Sequence, residues 1–79
     1  MRVKKPHAVV TFSSTADAMA VQAAADAGCV DGRMIPVPSE ISAGCGLAWC
    51  APDDDVAGVK AALDAAGLAF AAVDIVNLY

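Results

Sequence analysis

Residues 8–20 read AVVTFSSTADAMA. Ala8 to Phe12 form a short apolar run of β-branched character, the pattern of a strand buried on both faces or nearly so. Ser13 and Ser14 stop that run. Ser14, with Asp17 three residues on, makes a start like a capping box: the hydroxyl accepts an N–H of the first turn, and the carboxylate suits the positive end of the helix dipole. A helix is therefore expected from Thr15 to about Ala27, with Gly28 in the position that closes helices. Ala16, Met19, Ala20, Ala23 and Ala27 recur at three- and four-residue steps, so an alanine and methionine packing face is expected.

The rest of the chain repeats this grammar. Val30 to Val37 (VDGRMIPV) carries Pro36 and is followed by Pro38, which suits an edge strand because proline cannot donate to a central ladder. Pro38 to Gly46 (PSEISAGCG) reads as a loop, in which Ser39–Ser42 has room for one helical turn. Leu47 to Ala51 (LAWCA) is a third strand. Pro52 and the run Asp53, Asp54, Asp55 announce a second helix, since proline suits the first turn and carboxylates suit the dipole. Val56, Val59, Leu63 and Ala66 give that helix its apolar stripe and Gly67 ends it. Leu68 to Tyr79 supplies a last strand. The order β-α-β-β-α-β implies an α+β, ferredoxin-like fold, a four-stranded antiparallel sheet with two helices on one face.

With 79 residues the expectation is a single domain, 1–79, too small for a cleft between two lobes. Aromatic residues make up only 5%, so the core is thin, and self-association through a leftover apolar face would add stability. A net charge of −4 with five Lys and Arg argues against a phosphate-backbone ligand, and no nucleic-acid partner is expected. The cationic start is not followed by a long apolar segment, and aspartates punctuate every alanine-rich stretch, so neither export nor a membrane partner is expected. The expected location is cytoplasmic.

Cys29, Cys45 and Cys50 are odd in number and spaced by sixteen and five residues, neither a disulfide framework nor a CxxC metal site. No metal and no cofactor is expected: His7 stands alone near the terminus, and helix capping accounts for Asp53–Asp55. Cys29 follows a helix C-terminus, where the dipole disfavours a thiolate, and Cys50 lies inside a strand; both read as structural residues. Cys45 is different. In the expected topology it sits at the top of the third strand, beside Phe12 to Thr15 and the N-terminus of the first helix. Helix N–H groups without partners lower a thiol pKa from about 8.5 toward roughly 7. Gly44 and Gly46 give room and freely turned amides, and Ser13, Ser14, Thr15 and Ser42 offer hydroxyl donors. A turn over Ser39–Ser42 with its carbonyl end aimed at Cys45 would reverse the effect. Trp49 is read as a sheet-face packing residue, or as a docking anchor if that face is open.

At PVPSEISAGCGLAW, residues 36–49, the chain resembles the small bacterial selenium/sulfur carrier protein-like family. The resemblance rests on Phe12, Ser13, Ser14 and Thr15 after the first strand, and on Pro38, Ile41, Ser42, Cys45 and Gly46 as a Pro-x-x-Ile-Ser-x-x-Cys-Gly block. It covers nearly the whole chain, although many helix positions that are charged in relatives are alanine here. It implies that Cys45 carries a persulfide or selenopersulfide, taken from a donor protein and delivered to an acceptor protein, with Pro38 and Ser42 belonging to the same site. Two other functions fit the residues: a non-catalytic regulatory module binding a small anion at the Pro38–Gly46 loop, and a structural adaptor docking a larger enzyme through Trp49.

Overall fold

The computed structural model describes residues 3–38 and 46–78. The elements are β1 (Lys5–Thr11), α1 (Thr15–Asp26), β2 (Arg33–Pro36), β3 (Leu47–Cys50), α2 (Val56–Ala65) and β4 (Ala72–Leu78). The strands form one sheet in the order β2-β3-β1-β4, and each neighbouring pair is antiparallel. With both helices packed on one side, this is the ferredoxin-like α+β fold expected from the sequence.

Local chemistry explains where the helices begin and end. Ser14 caps α1, its hydroxyl accepting from the Asp17 N–H at 3.3 Å. Asp55 caps α2 by accepting from the Gly58 N–H at 3.0 Å, while Asp53 accepts from the Asp55 N–H. The cap at Asp55 leaves Pro52 outside the first turn in which it was expected, at the end of the strand-to-helix connection. Both helices end in a Schellman motif. Gly28 donates to Ala25 and Cys29 to Ala24, and likewise Gly67 donates to Asp64 and Leu68 to Leu63. Gly28 and Gly67 hold the positive φ that this closure requires. The apolar contact that accompanies the motif is supplied at the second helix by Leu68 and Leu63, which share one cluster.

The core on the helix side joins Val10, Phe12 and Trp49 of the sheet layer to Ala18, Val21 and Leu63 of the helices. Here the expected face of α1 is overturned. Ala16, Met19, Ala20, Ala23 and Ala27 are all exposed, and Ala18, Val21 and Ala25 point inward instead. Val21 decides the matter: it is the one branched aliphatic residue of α1, and burying it gains more than burying any alanine. In α2, Val59 and Leu63 pack as expected, but Ala66 is the exposed C-cap. The other side of the sheet has its own apolar cluster of Val9, Ala48 and Val76, flanked by Ile35, Val37 and Leu78. No helix among the described residues is long and apolar enough to cross a membrane.

β2 and β4 are both shorter than expected. Residues 30–32 are not strand because the α1 closure and Gly32, with φ +129°, turn the chain there. Leu68 belongs to the closure of α2, so β4 begins only at Ala72.

Candidate functional site

The topology gathers three connections at one end of the sheet: β1 to α1, β2 to β3, and α2 to β4. Ser13, Ser14 and Thr15 are exposed on the first of them. Thr15 and Ala16 are the first two residues of α1, and their N–H groups find no acceptor among the described residues. The Asp17 carboxylate in the same first turn opposes that positive end with a charge of its own.

The β2–β3 connection is tied at its base. The Val37 N–H donates to the Gly46 carbonyl at 3.1 Å, which continues the β2–β3 register one pair beyond Pro36↔Leu47. Pro38 is half-buried just above this bond. Gly46 is exposed with φ +77°, and open space surrounds the place a Cβ would occupy, so glycine is required there by backbone conformation rather than by crowding. In the β1–β3 register the last pair is Thr11↔Ala48, and Ser13 and Gly46 each lie two residues beyond it. The structure therefore brings Ser13, Ser14, Thr15, Pro38 and Gly46 to one end of the sheet. Cys45, Ser42, Gly44 and the turn expected over Ser39–Ser42 lie outside the described residues.

The other two cysteines occupy different surroundings. Cys50 is buried on the sheet face away from the helices, its thiol 3.5 Å from the Ala51 carbonyl. Cys29 is exposed, not a core residue as its structural reading implied, and sits in the Schellman closure of α1. That closure is at the opposite end of the sheet from Gly46, a strand length of about 20 Å away.

Trp49 is 1% exposed within the helix-side core, and its indole N–H donates to the Asp31 carbonyl at 3.0 Å. It is a packing residue, and burial removes it as the docking anchor of an adaptor. His7 is not a loose terminal side chain: it lies in β1 with Nδ1 3.0 Å from the Ala51 carbonyl, which makes Nδ1 the protonated nitrogen. No group of three His, Cys, Asp or Glu side chains among the described residues could hold a metal ion.

Sequence reading did not foresee a cleft of about 200 Å³ lined by Val30, Asp31, Asp53, Asp55, Gly58, Val59 and Ala62. It lies at the end of the sheet remote from Gly46. Its walls come from two connections far apart in the chain, so no local pattern announces it.

Among the described residues, the end bearing Gly46 is polar: Ser13, Ser14 and Thr15 are exposed there beside the first-turn N–H groups of α1 and the Asp17 carboxylate. The N–H groups and hydroxyls of such a surface can steady an anionic group held by a neighbouring side chain. Comparison with curated proteins and with solved structures returns no match. The model of the family described as "Putative Se/S carrier protein-like" matches residues 7–73, and the chain belongs to that family.

Proposed function

We propose that the chain is a sulfur or selenium carrier and that Cys45 is the carrying residue. The observation that carries this reading is the family match over residues 7–73, which spans Cys45 and the connections on either side of it. In the transfer, the Cys45 thiolate attacks the terminal sulfur of a donor protein's persulfide. The donor S–S bond breaks, its thiolate leaves, and Cys45 retains the terminal sulfur as a persulfide. Attack by an acceptor thiolate on that terminal sulfur reverses these roles, so each step is redox-neutral and needs no cofactor. Selenium follows the same path as a selenopersulfide.

Support from the site is positional. Gly46, next to Cys45 in the chain, shares its end of the sheet with the N–H groups of Thr15 and Ala16 at the start of α1. The hydroxyls of Ser13 and Ser14 and the half-buried Pro38 stand at the same end, as edges of the surface against which a donor or acceptor would dock. The anion-binding alternative uses the same end of the sheet but has no need of the thiol.

The test is alkylation of each cysteine with iodoacetamide, folded and in denaturant, read by peptide mass. Cys29 is exposed and is labelled whatever Cys45 does, so the informative quantity is the ratio of the Cys45 rate to the Cys29 rate, normalised to the denatured chain. At about pH 6.5 a thiol of pKa about 7 holds roughly 25 times more thiolate than one of pKa about 8.5. Its lower nucleophilicity returns a factor of about five, leaving a net gain of about fivefold. That gain at Cys45 on folding is the expected result, together with loss of persulfide loading in Cys45→Ser. A folded ratio no higher than the denatured one, or loading that survives Cys45→Ser, refutes the assignment.

A further inference from the structure

The sheet has two edges, β2 and β4. Bonds inside the sheet fix which backbone groups point out of it. Ala8 accepts from Ala51 and donates to Asp53, both on the β3 side of β1. Successive residues of a strand direct their N–H and C=O groups to alternate sides, so His7, Val9 and Thr11 face β4. Thr11 does accept from the Ala71 N–H at 2.8 Å. Through the register His7↔Val76, Val9↔Asp74 and Thr11↔Ala72, the even-numbered residues of β4 face β1, and Val73, Ile75 and Asn77 direct their backbone groups outward. At the opposite edge Val37 bonds inward to Gly46, so the outward residues of β2 are Met34 and Pro36.

The two edges differ in kind. β2 has four residues, begins with Arg33, and its outward Pro36 has no N–H to offer; these features discourage strand pairing. β4 has seven residues without proline or lysine and runs one-to-one with β1 from Leu78 to Ala72; the only irregularity is at its start, where the Ala71 N–H also reaches Thr11, away from the outward groups of Val73, Ile75 and Asn77. Among the described residues no hydrogen bond reaches the outward groups of Val73, Ile75 or Asn77. The same strand carries Ile75, whose side chain is 55% exposed.

We propose that β4 pairs with β4 of a second copy of this chain, antiparallel and about a two-fold axis at Ile75, so that two sheets become one. The register argues for this occupant. Centred on Ile75, the outward groups of Ile75 meet their own copies and those of Val73 meet Asn77 of the second copy, so every outward donor and acceptor is used. The two exposed Ile75 side chains become a cross-strand β-branched pair, and Asp74 falls opposite Val76 of the second copy. Centring on Asp74 would set two carboxylates directly opposite each other, which is destabilising. Centring on Val76 carries Val73 past the end of the strand.

The experiment is sedimentation velocity of the whole chain over a concentration series, with residue-resolved hydrogen exchange at both ends of the series. A dimer is expected, with exchange slowing at the Val73, Ile75 and Asn77 amides as concentration rises and staying unchanged at Met34. Ile75→Lys, with its fold verified by circular dichroism, is expected to weaken the dimer about fivefold or more, from a lost pair and an opposed charge. Met19→Lys, at an exposed apolar residue of α1, is expected to leave it intact. A chain monomeric throughout, which would leave the edge to another protein's strand, overturns the proposal. So does a dimer that gives those three amides no protection, or one indifferent to Ile75→Lys.

Discussion

Gly32→Ala is expected to be the costliest glycine-to-alanine change among the described glycines. Gly32 has φ +129°, a region that side-chain-bearing residues adopt only with strain of about 1–3 kcal/mol. A Cβ built there would meet the Cys50 carbonyl oxygen and would stand 2.5 Å from the Trp49 indole nitrogen. Neither neighbour is the free end of a flexible side chain. One is backbone of β3; the other is a fully buried ring that donates to Asp31 next door. Overpacking of this kind adds about 1–3 kcal/mol. The sum, about 4 kcal/mol, is a large part of the roughly 4–12 kcal/mol that 79 residues ordinarily supply, and corresponds to a fall in melting temperature of about 15–30 °C. Gly28→Ala is the matched control: φ is +84° but nothing lies within 4 Å of the new methyl, so about 1–2 kcal/mol of backbone strain is all it costs. Urea unfolding followed by Trp49 fluorescence and by circular dichroism measures both variants. Equal destabilisation of the two, within about 1 kcal/mol, would refute the claim that β2 is fitted against Trp49 through the absence of a side chain at residue 32.

Smaller effects follow from the caps and the core. Ser14→Ala removes the acceptor of the Asp17 N–H and Asp55→Ala that of the Gly58 N–H; each is expected to cost about 1 kcal/mol in urea unfolding. Trp49→Phe strands the Asp31 carbonyl and leaves part of the indole volume empty, a loss of about 1–2 kcal/mol in the same assay. Cys50→Ser places a hydroxyl where a thiol is buried and is expected to cost about 1–2 kcal/mol, whereas Cys29→Ser, at an exposed turn, should stay within about 0.5 kcal/mol by thermal melting.

How much of this was legible beforehand depended on whether a residue's role is local. The Ser14 cap and the Gly28 and Gly67 closures are decided within four or five residues, and the chain states them outright. β2 as an edge strand is equally local, because Pro36 lacks the N–H that a central strand must donate. The face of α1 was misread for a physical reason. A helix made largely of alanine has almost the same apolar surface in every direction, so periodicity cannot phase it. Only Val21 breaks the tie, and its preference becomes visible against Val10, Phe12 and Trp49, which come from other elements. Trp49 was ambiguous in the same way, since a strand of alternating faces does not say which face the helices will cover.

The candidate site divides along the same line. That Ser13 to Thr15, Pro38 and Gly46 share one end of the sheet is a consequence of strand order, and strand order follows from counting elements. What those residues do together depends on charges that no count supplies: the first N–H groups of α1, at Thr15 and Ala16, favour an anion, and the Asp17 carboxylate that follows them opposes it. Both belong to the same first turn, so replacing Asp17 by Asn keeps the cap from Ser14 and removes only the opposing charge. If the helix end acts on the Cys45 thiol, Asp17→Asn must raise its alkylation rate below the pKa of an ordinary thiol and leave Cys29, at the far end of the sheet, unchanged. A rate at Cys45 that ignores Asp17 would mean that the helix is a neighbour of the carrier residue and no part of its chemistry.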